Sequence, residues 1–434
     1  MESRTPHAIA ARYQRSFPVR AGYLPEDPSH LHDWNHMFVG AVPSGKPDTY
    51  TPRHRAVESL AELLDHDPII RMLVHEMIEQ EQLLYPDKPR NHVQDVNHLL
   101  ELLDNVVKTA PAFGKKANPA TNTKAEPAVA FPMSALLGFM MMTTAGEAVF
   151  RHPKFNDALR AILSEWCTFL SSPASKTVLT RKEGGWLSPI AYHRLKLADY
   201  KITEADDGGF QCWDEFFRRE LKDVTSQRPL PEADDDALIV SANDGPVRYI
   251  ARNVKPQAPF WVKGERYSLR DMLATDKRCD TFAGGDVIQS FLAGSDYHRF
   301  TSPIAGEILE IVPIPGLLFS NAESAGYDPE GVDSLVYDAT VNTRTLVVIK
   351  GKEAVGTVCV IPIGITEVSS LTINVKCGDH VKKGAELGWF SFGGSTLCMV
   401  FQPGKIGEFV VDDKTRLSAR EHIATAIPIR TTKS

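Results

Sequence analysis

The sequence predicts an α+β protein, a helical N-terminal domain followed by a β-rich domain. Two observations predict this. In the first half, apolar residues recur at helical spacing behind helix-start signals. From Leu238 onward, short β-branched and aromatic runs alternate with Gly and Pro turns. At 434 residues the chain also fits two domains better than one. They are expected to span 1–212 and 213–434, and the acidic stretch Pro231 to Asp236 (PEADDD) reads as a junction.

In chain order, Asp67-Pro68 opens a helix with an N-cap residue and proline at the first helical position. Ile69, Leu73 and Met77 then repeat every four residues and predict one buried stripe. Leu99, Leu100, Leu102 and Leu103 continue the helical character. Lys108 to Pro127 is rich in Pro, Ala, Asn, Thr and Lys without periodicity, and is expected to be a loop. Residues 127–146 carry no charge and approach membrane-spanning length, but Pro132, Ser134, Gly138, Thr143 and Thr144 interrupt them. A buried core helix is expected there, with no convincing membrane segment. A further helix is expected through Ala158 to Leu170. In the back half, strands are expected at Ile304–Val312, Thr345–Lys350, Thr357–Ile363 and Glu408–Val411, forming a sandwich or barrel.

The formal net charge of −7 argues against a nucleic-acid binder and offers no broad cationic face to anionic lipid. Six cysteines are spread along the chain without a CxxC pair, which fits a reduced, cytoplasmic setting. Arg4, Arg12, Arg15 and Arg20, with no acid between them, faintly resemble a mitochondrial presequence, the less favoured location. His30, His32 and His36 include an i,i+4 pair, but no carboxylate or cysteine completes a metal set, so none is expected.

Three short segments carry candidate chemistry: Ser241–Gly245 (SANDG), Asp296–Pro303 (DYHRFTSP) and Phe392–Thr396 (FGGST). Alone, Asp-Gly and Gly-Gly are turn dipeptides. A Gly-Gly-Ser-Thr turn could cradle phosphate, but no Walker lysine follows. In this order, together with Trp213–Arg219 (WDEFFRR), Arg228-Pro229, Lys263–Leu273 and Gly284–Leu292, they resemble the phosphatidylserine decarboxylase family from about residue 213 to the end. The front half is similar to the N-terminal domain of that family's soluble fungal branch, which includes the tryptophan decarboxylase of the psilocybin pathway. Ala110–Gly114, Ala145–Phe150, Trp166–Ser172 and Gly185–Leu187 carry this second likeness, as does Gly364–Ser369 in the back half.

The resemblance implies self-cleavage between Gly394 and Ser395. Ser395 Oγ would attack the Gly394 carbonyl to give an ester; elimination and hydrolysis would leave a chain ending at Gly394 and a pyruvoyl group at 395. That ketone, without pyridoxal phosphate, would supply the electron sink that decarboxylation needs and serine cannot. A hydroxyl is a poor nucleophile and needs a base. The resemblance assigns that base to Asp244 and the proton relay of decarboxylation to His298. Here the sequence departs from the family, whose second histidine is Thr301. Threonine takes up no proton near neutral pH. Asp244 alone, His298 in substitution, or slow maturation all remain open. Phe319, in Gly316–Asn321, is the candidate contact for a substrate ring, with core packing as the alternative.

The expected function is decarboxylation of a free L-amino acid, aromatic by analogy. Phosphatidylserine is the alternative substrate, and an unprocessed non-enzymatic relative is the second alternative. The expected partners are that small molecule and the chain's own cleaved segment 395–434; a homo-oligomer is left open.

Overall fold

The computed structural model describes residues 38–39, 42, 50–84, 93–115, 126–130, 132–141, 143–257, 267–319, 335–365, 367, 370–392, 395–413 and 415–427. The arginine-rich start, the His30/His32/His36 cluster and Gly394 lie outside these residues. The chain forms two compact units. One comprises Met1–Ala198, Ile202–Phe216 and Leu317–Ser334; the other comprises Asp199–Lys201, Phe217–Gly316 and Leu335–Ser434.

The first unit is helical: α1 (Arg55–His66), α2 (Pro68–Leu84), α3 (Val96–Val106), α4 (Pro132–Met141), α5 (Thr144–Phe150) and α6 (Pro153–Leu170). Asp67 caps α2 as its position suggests, its Oδ1 accepting from the Ile69 and Ile70 amides. The buried stripe of α2 keeps Met77 of the expected one but is otherwise shifted, with Leu73 half-buried. Ile70, Val74, Met77 and Ile78 are buried, whereas Ile69 is 62% exposed. Two apolar phases overlap in this helix, and the one with four members at i, i+4, i+7 and i+8 wins the core. Each such buried side chain contributes about 1.5–3 kcal/mol.

The expected loop at 108–127 contains a hairpin instead. β1 (Ala112–Lys115) pairs antiparallel with β2 (Glu126–Ala130). Backbone pairing overrides a composition poor in strand formers. The charge-free run therefore begins as strand, and only from Pro132 does it become the buried helix α4, with proline at its first position rather than inside it. Among the described residues no helix is long and apolar enough to cross a membrane.

Trp186 anchors the end of this unit. Its ring lies 5.3 Å from Phe113, 6.0 Å from Trp213 and 5.2 Å from Phe216. These contacts keep Trp213–Phe216 with the helices, past the 212/213 position. Asn156 Nδ2 donates to Leu318 O at 3.0 Å, and Phe319 packs 6.2 Å from Phe150, which ties this later segment back to α5 and α6.

The second unit is built on β3 (Leu238–Val240), β4 (Gly245–Ala251), β5 (Asp286–Leu292), β6 (Arg299–Thr301), β7 (Gly306–Ile314), β8 (Arg344–Lys350) and β9 (Thr357–Gly364). It continues with β10 (Ser370–Ile373), β11 (His380–Val381), β12 (Glu386–Ser391), β13 (Ser395–Phe401), β14 (Ile406–Phe409), β15 (Arg416–Leu417) and β16 (His422–Ala426). Eight strands form one antiparallel sheet in the order β11-β7-β8-β9-β13-β5-β4-β15. Two three-stranded sheets, β10-β12-β6 and β14-β16-β3, complete the unit.

Both faces of the large sheet are covered, by different partners. Leu397, Met399 and Phe401 of β13 pack with Phe300, Phe390 and Ile423 of the small sheets. The alternate residues Cys398 and Val400 pack with Leu269, Met272 and Phe282 from short helices. The expected plain sandwich or barrel is therefore corrected to an open sheet with small sheets on one face and helices on the other. Helical cover explains why β13 is buried along its whole length and shows no polar alternation. The acidic stretch 231–236 lies within this unit, leading into β3.

Candidate active site

Ser395 opens β13 and is held from both sides. It pairs with Leu292 of β5 and with Gly364 of β9. Strand alternation puts it on the same face as Leu397, in the core shared with Phe300 and Phe390. Ser395 is fully buried, and its Oγ has no hydrogen-bond partner among the described residues. Just upstream, β12 ends at Ser391 and Phe392 takes φ +65°, a left-handed conformation uncommon for a residue with a side chain.

Thr396 faces the other way and is fully satisfied. Its Oγ1 donates to Ser290 O at 2.7 Å and accepts from Gln289 Nε2 at 3.0 Å. Gln289 is fixed in turn by Tyr267 Oη, 2.6 Å from its Oε1, and by Leu335 O, 2.9 Å from its Nε2. On the β9 side, Asn342 Nδ2 donates to Gly364 O at 3.0 Å. The backbone around Ser395 is thus braced by buried side chains on both flanking strands.

His298 is wholly buried, and among the described residues neither ring nitrogen has a side-chain hydrogen-bond partner. Its ring stacks on Phe217, centroids 3.8 Å apart and planes 25° from parallel. Burial, followed by the Arg219 guanidinium, holds the imidazole well below its ordinary range against a smaller opposing effect of the Asp296 backbone. Burial thus favours the neutral form of the ring. Arg219 is itself placed by the carbonyls of Ser295 (2.8 Å) and Asp296 (3.2 Å) and lies over the Tyr200 ring.

Asp244 sits at the same end of the large sheet. At Gly245, φ is +129° and an added Cβ would stand 1.9 Å from Phe291 O, so only glycine lets β4 meet β5 there. β5 separates Asp244 from Ser395, placing their backbones two strand spacings apart, roughly 10 Å. The Asp244 carboxylate is taken. Oδ1 accepts from Arg228 Nε at 3.1 Å and from the Ala419 amide at 2.7 Å, and Oδ2 accepts from Arg228 Nη2 at 2.6 Å. Thr301 is buried against the neighbouring segment, its amide donating to Ala242 O at 2.7 Å.

Ser395, His298, Asp244 and Thr301 therefore all lie in the β unit. Phe319 belongs to the helical unit, fully buried against Phe150 with φ +49°. Two profiles, both describing phosphatidylserine decarboxylase, match residues 54–195 and 213–425. Decarboxylase iboD of Amanita muscaria is 34% identical over 326 residues, covering 70% of this chain and 92% of its own. The chain belongs to the phosphatidylserine decarboxylase family. It is a decarboxylase. Within the family it is also similar to the L-tryptophan decarboxylase of Psilocybe cubensis, at 27% identity over 79% of each chain. The phosphatidylserine decarboxylase proenzyme of Fusobacterium nucleatum is 30% identical over 62% of this chain and 81% of its own.

Phe217, Arg219, Arg228, Tyr267 and Gln289 were not expected to serve the site. All five sit in the segments that carry the family resemblance, WDEFFRR, Arg228-Pro229, Lys263–Leu273 and Gly284–Leu292. That placement was the available signal; their partners depend on tertiary contacts.

Proposed function

We propose that this family member cuts itself between Gly394 and Ser395 and, with the pyruvoyl group so formed, decarboxylates a free L-amino acid of tryptophan-like kind. The observation that carries this is the Ser395 hydroxyl, fully buried and without a partner among the described residues at the head of a strand braced on both sides. A buried hydroxyl left unpaired costs about 1–3 kcal/mol, and a nucleophile reserved for a one-time reaction accounts for it. Residue 395 would hold the group covalently, and the group would supply the electron sink for loss of CO₂. His298 is the candidate for relaying a proton to the carbon that CO₂ leaves, and with its pKa held low by burial it must first take that proton up during the reaction.

The free amino acid is supported by likeness to relatives named for L-tryptophan, a likeness that extends through the front half of the chain. Phe319 enters as a candidate ring contact, alongside the packing role its burial already gives it. Six unpaired cysteines support a reducing, cytoplasmic setting.

Purified protein given L-tryptophan without pyridoxal phosphate is expected to release CO₂. Borohydride added with substrate is expected to fix the amine on residue 395. Turnover of phosphatidylserine in vesicles, with none of any free amino acid, would replace this substrate by the phospholipid.

A further inference from the structure

We propose that His298 is the base that activates Ser395 for self-cleavage, and that Asp244 instead clamps the C-terminal segment in place. The inference rests on the reading that the bond before Ser395 is the one cut.

Two strand connections bring the serine and the histidine to one corner of the β unit. Ser395 pairs with Leu292, and from Leu292 the chain turns at once, the Asp296 amide donating to Ala293 O at 2.9 Å, and reaches His298. On the other side, the Phe390 amide donates to His298 O at 2.9 Å, and from Phe390 the chain returns to Ser395. Only residues 293–297 and 391–394 separate the two paired points. Alternation places both side chains toward one core: His298 lies two residues before Phe300, Ser395 two before Leu397, and Phe300 and Leu397 pack in the same cluster.

Chemistry then chooses among the polar neighbours. Thr301 has no proton-accepting group of useful basicity. Asp244 could accept a proton only by giving up one or both contacts to Arg228, stranding a guanidinium that is itself mostly buried. Its remaining hydrogen bond comes from Ala419, within the segment that cleavage detaches, and Arg416 of that segment pairs with Asp296. Among the described residues neither His298 nitrogen has a side-chain partner, and burial favours the neutral ring, which has a lone pair to offer. In the proposed step, the imidazole takes the Ser395 Oγ proton as Oγ bonds to the carbonyl carbon of residue 394. The C–N bond between 394 and 395 breaks, the Ser395 nitrogen receives that proton, and an ester remains with the imidazole neutral again.

The test follows cleavage by denaturing gel and intact mass in freshly made protein. His298→Ala and the shape-preserving His298→Gln are compared with Asp244→Asn, using uncut Ser395→Ala as the folded reference for thermal unfolding. Loss of a general base costs about 10²–10⁴ in rate. Both His298 variants are expected to cut at least about a hundredfold more slowly than wild type, and Asp244→Asn to slow by less than about tenfold while holding the 395–434 segment less firmly at high salt. His298 variants that cut at near wild-type rate, or an Asp244→Asn protein slowed as much as they are, would overturn the assignment. A wild-type chain that never cuts would instead overturn the reading of Ser395 itself.

Discussion

Asp104 and Ser395 are both buried polar side chains, one in each compact unit, and their surroundings are opposite. Asp104, on α3, gathers donors from Tyr50 Oη (2.6 Å), the Arg53 amide (2.7 Å), the His54 amide (3.1 Å) and His54 Nδ1 (2.7 Å). Burial, and then the carboxylate, push the Tyr50 hydroxyl up to about 12. Among the described residues Ser395 Oγ and the two His298 nitrogens have no hydrogen-bond partner, although His54 Nε2 in the first centre is also unpaired. Folding accounts for the first centre, since the Asp104 carboxylate withdrawn from water is repaid in hydrogen bonds. It does not account for the second, where unpaired groups are held in place at a cost. The difference marks Ser395 as the less well satisfied of the two side chains.

The largest expected effect is on the saturated centre. Asp104→Ala strands a buried imidazole, a phenol and two amides, and should destabilise the helical unit by about 3–5 kcal/mol. Thermal unfolding of the variant reads this directly. Cutting at 394/395 should persist in whatever protein remains folded, and loss of cutting in a well-folded Asp104→Ala protein would break the contrast between the two centres.

A smaller effect is expected at Phe217, which sharpens the second centre. With no side-chain hydrogen bond to either nitrogen among the described residues, the stack on Phe217 is the main contact that orients the His298 ring. Phe217→Leu should keep the fold and lower kcat about tenfold, about 1.4 kcal/mol, with KM little changed. Phe217→Tyr should restore most of it. Equal loss in the leucine and tyrosine variants would show that the stack is mere packing.

The smallest effect concerns pH. A histidine kept neutral in the folded state binds fewer protons there than in the unfolded chain. Its share of stability is whole above the ordinary imidazole value of about 6.5 and is lost as pH falls below it toward the depressed folded value. In a Ser395→Ala background, so that every protein is full length, stability should drop between pH 7.5 and 5.5. Adding His298→Gln should remove about 1 kcal/mol of that drop. Identical pH curves would mean that the ring is not held neutral.

Much of this was legible in the residues. Segment order disclosed the family, and the same segments name Ser395 and His298 as candidates. The helical front and stranded back followed from periodicity. What failed did so for local reasons. Ile69 and Ile70 are adjacent and equally apolar, so spacing alone could not choose the buried phase of α2. The β1–β2 hairpin lies in a stretch whose composition carries no strand signal. The contacts of Asp244 with Arg228, sixteen residues earlier, and with Ala419, far downstream, are tertiary facts that its identity in the sequence does not show.

Everything proposed for the site depends on the bond between Gly394 and Ser395, and intact mass of the purified protein addresses it most directly. The account predicts two chains, one ending at Gly394 and one beginning at residue 395 with a blocked, pyruvoyl-bearing terminus, and a single uncut chain for Ser395→Ala. A wild-type protein that remains one chain, or an alanine variant that is still cut, would contradict it.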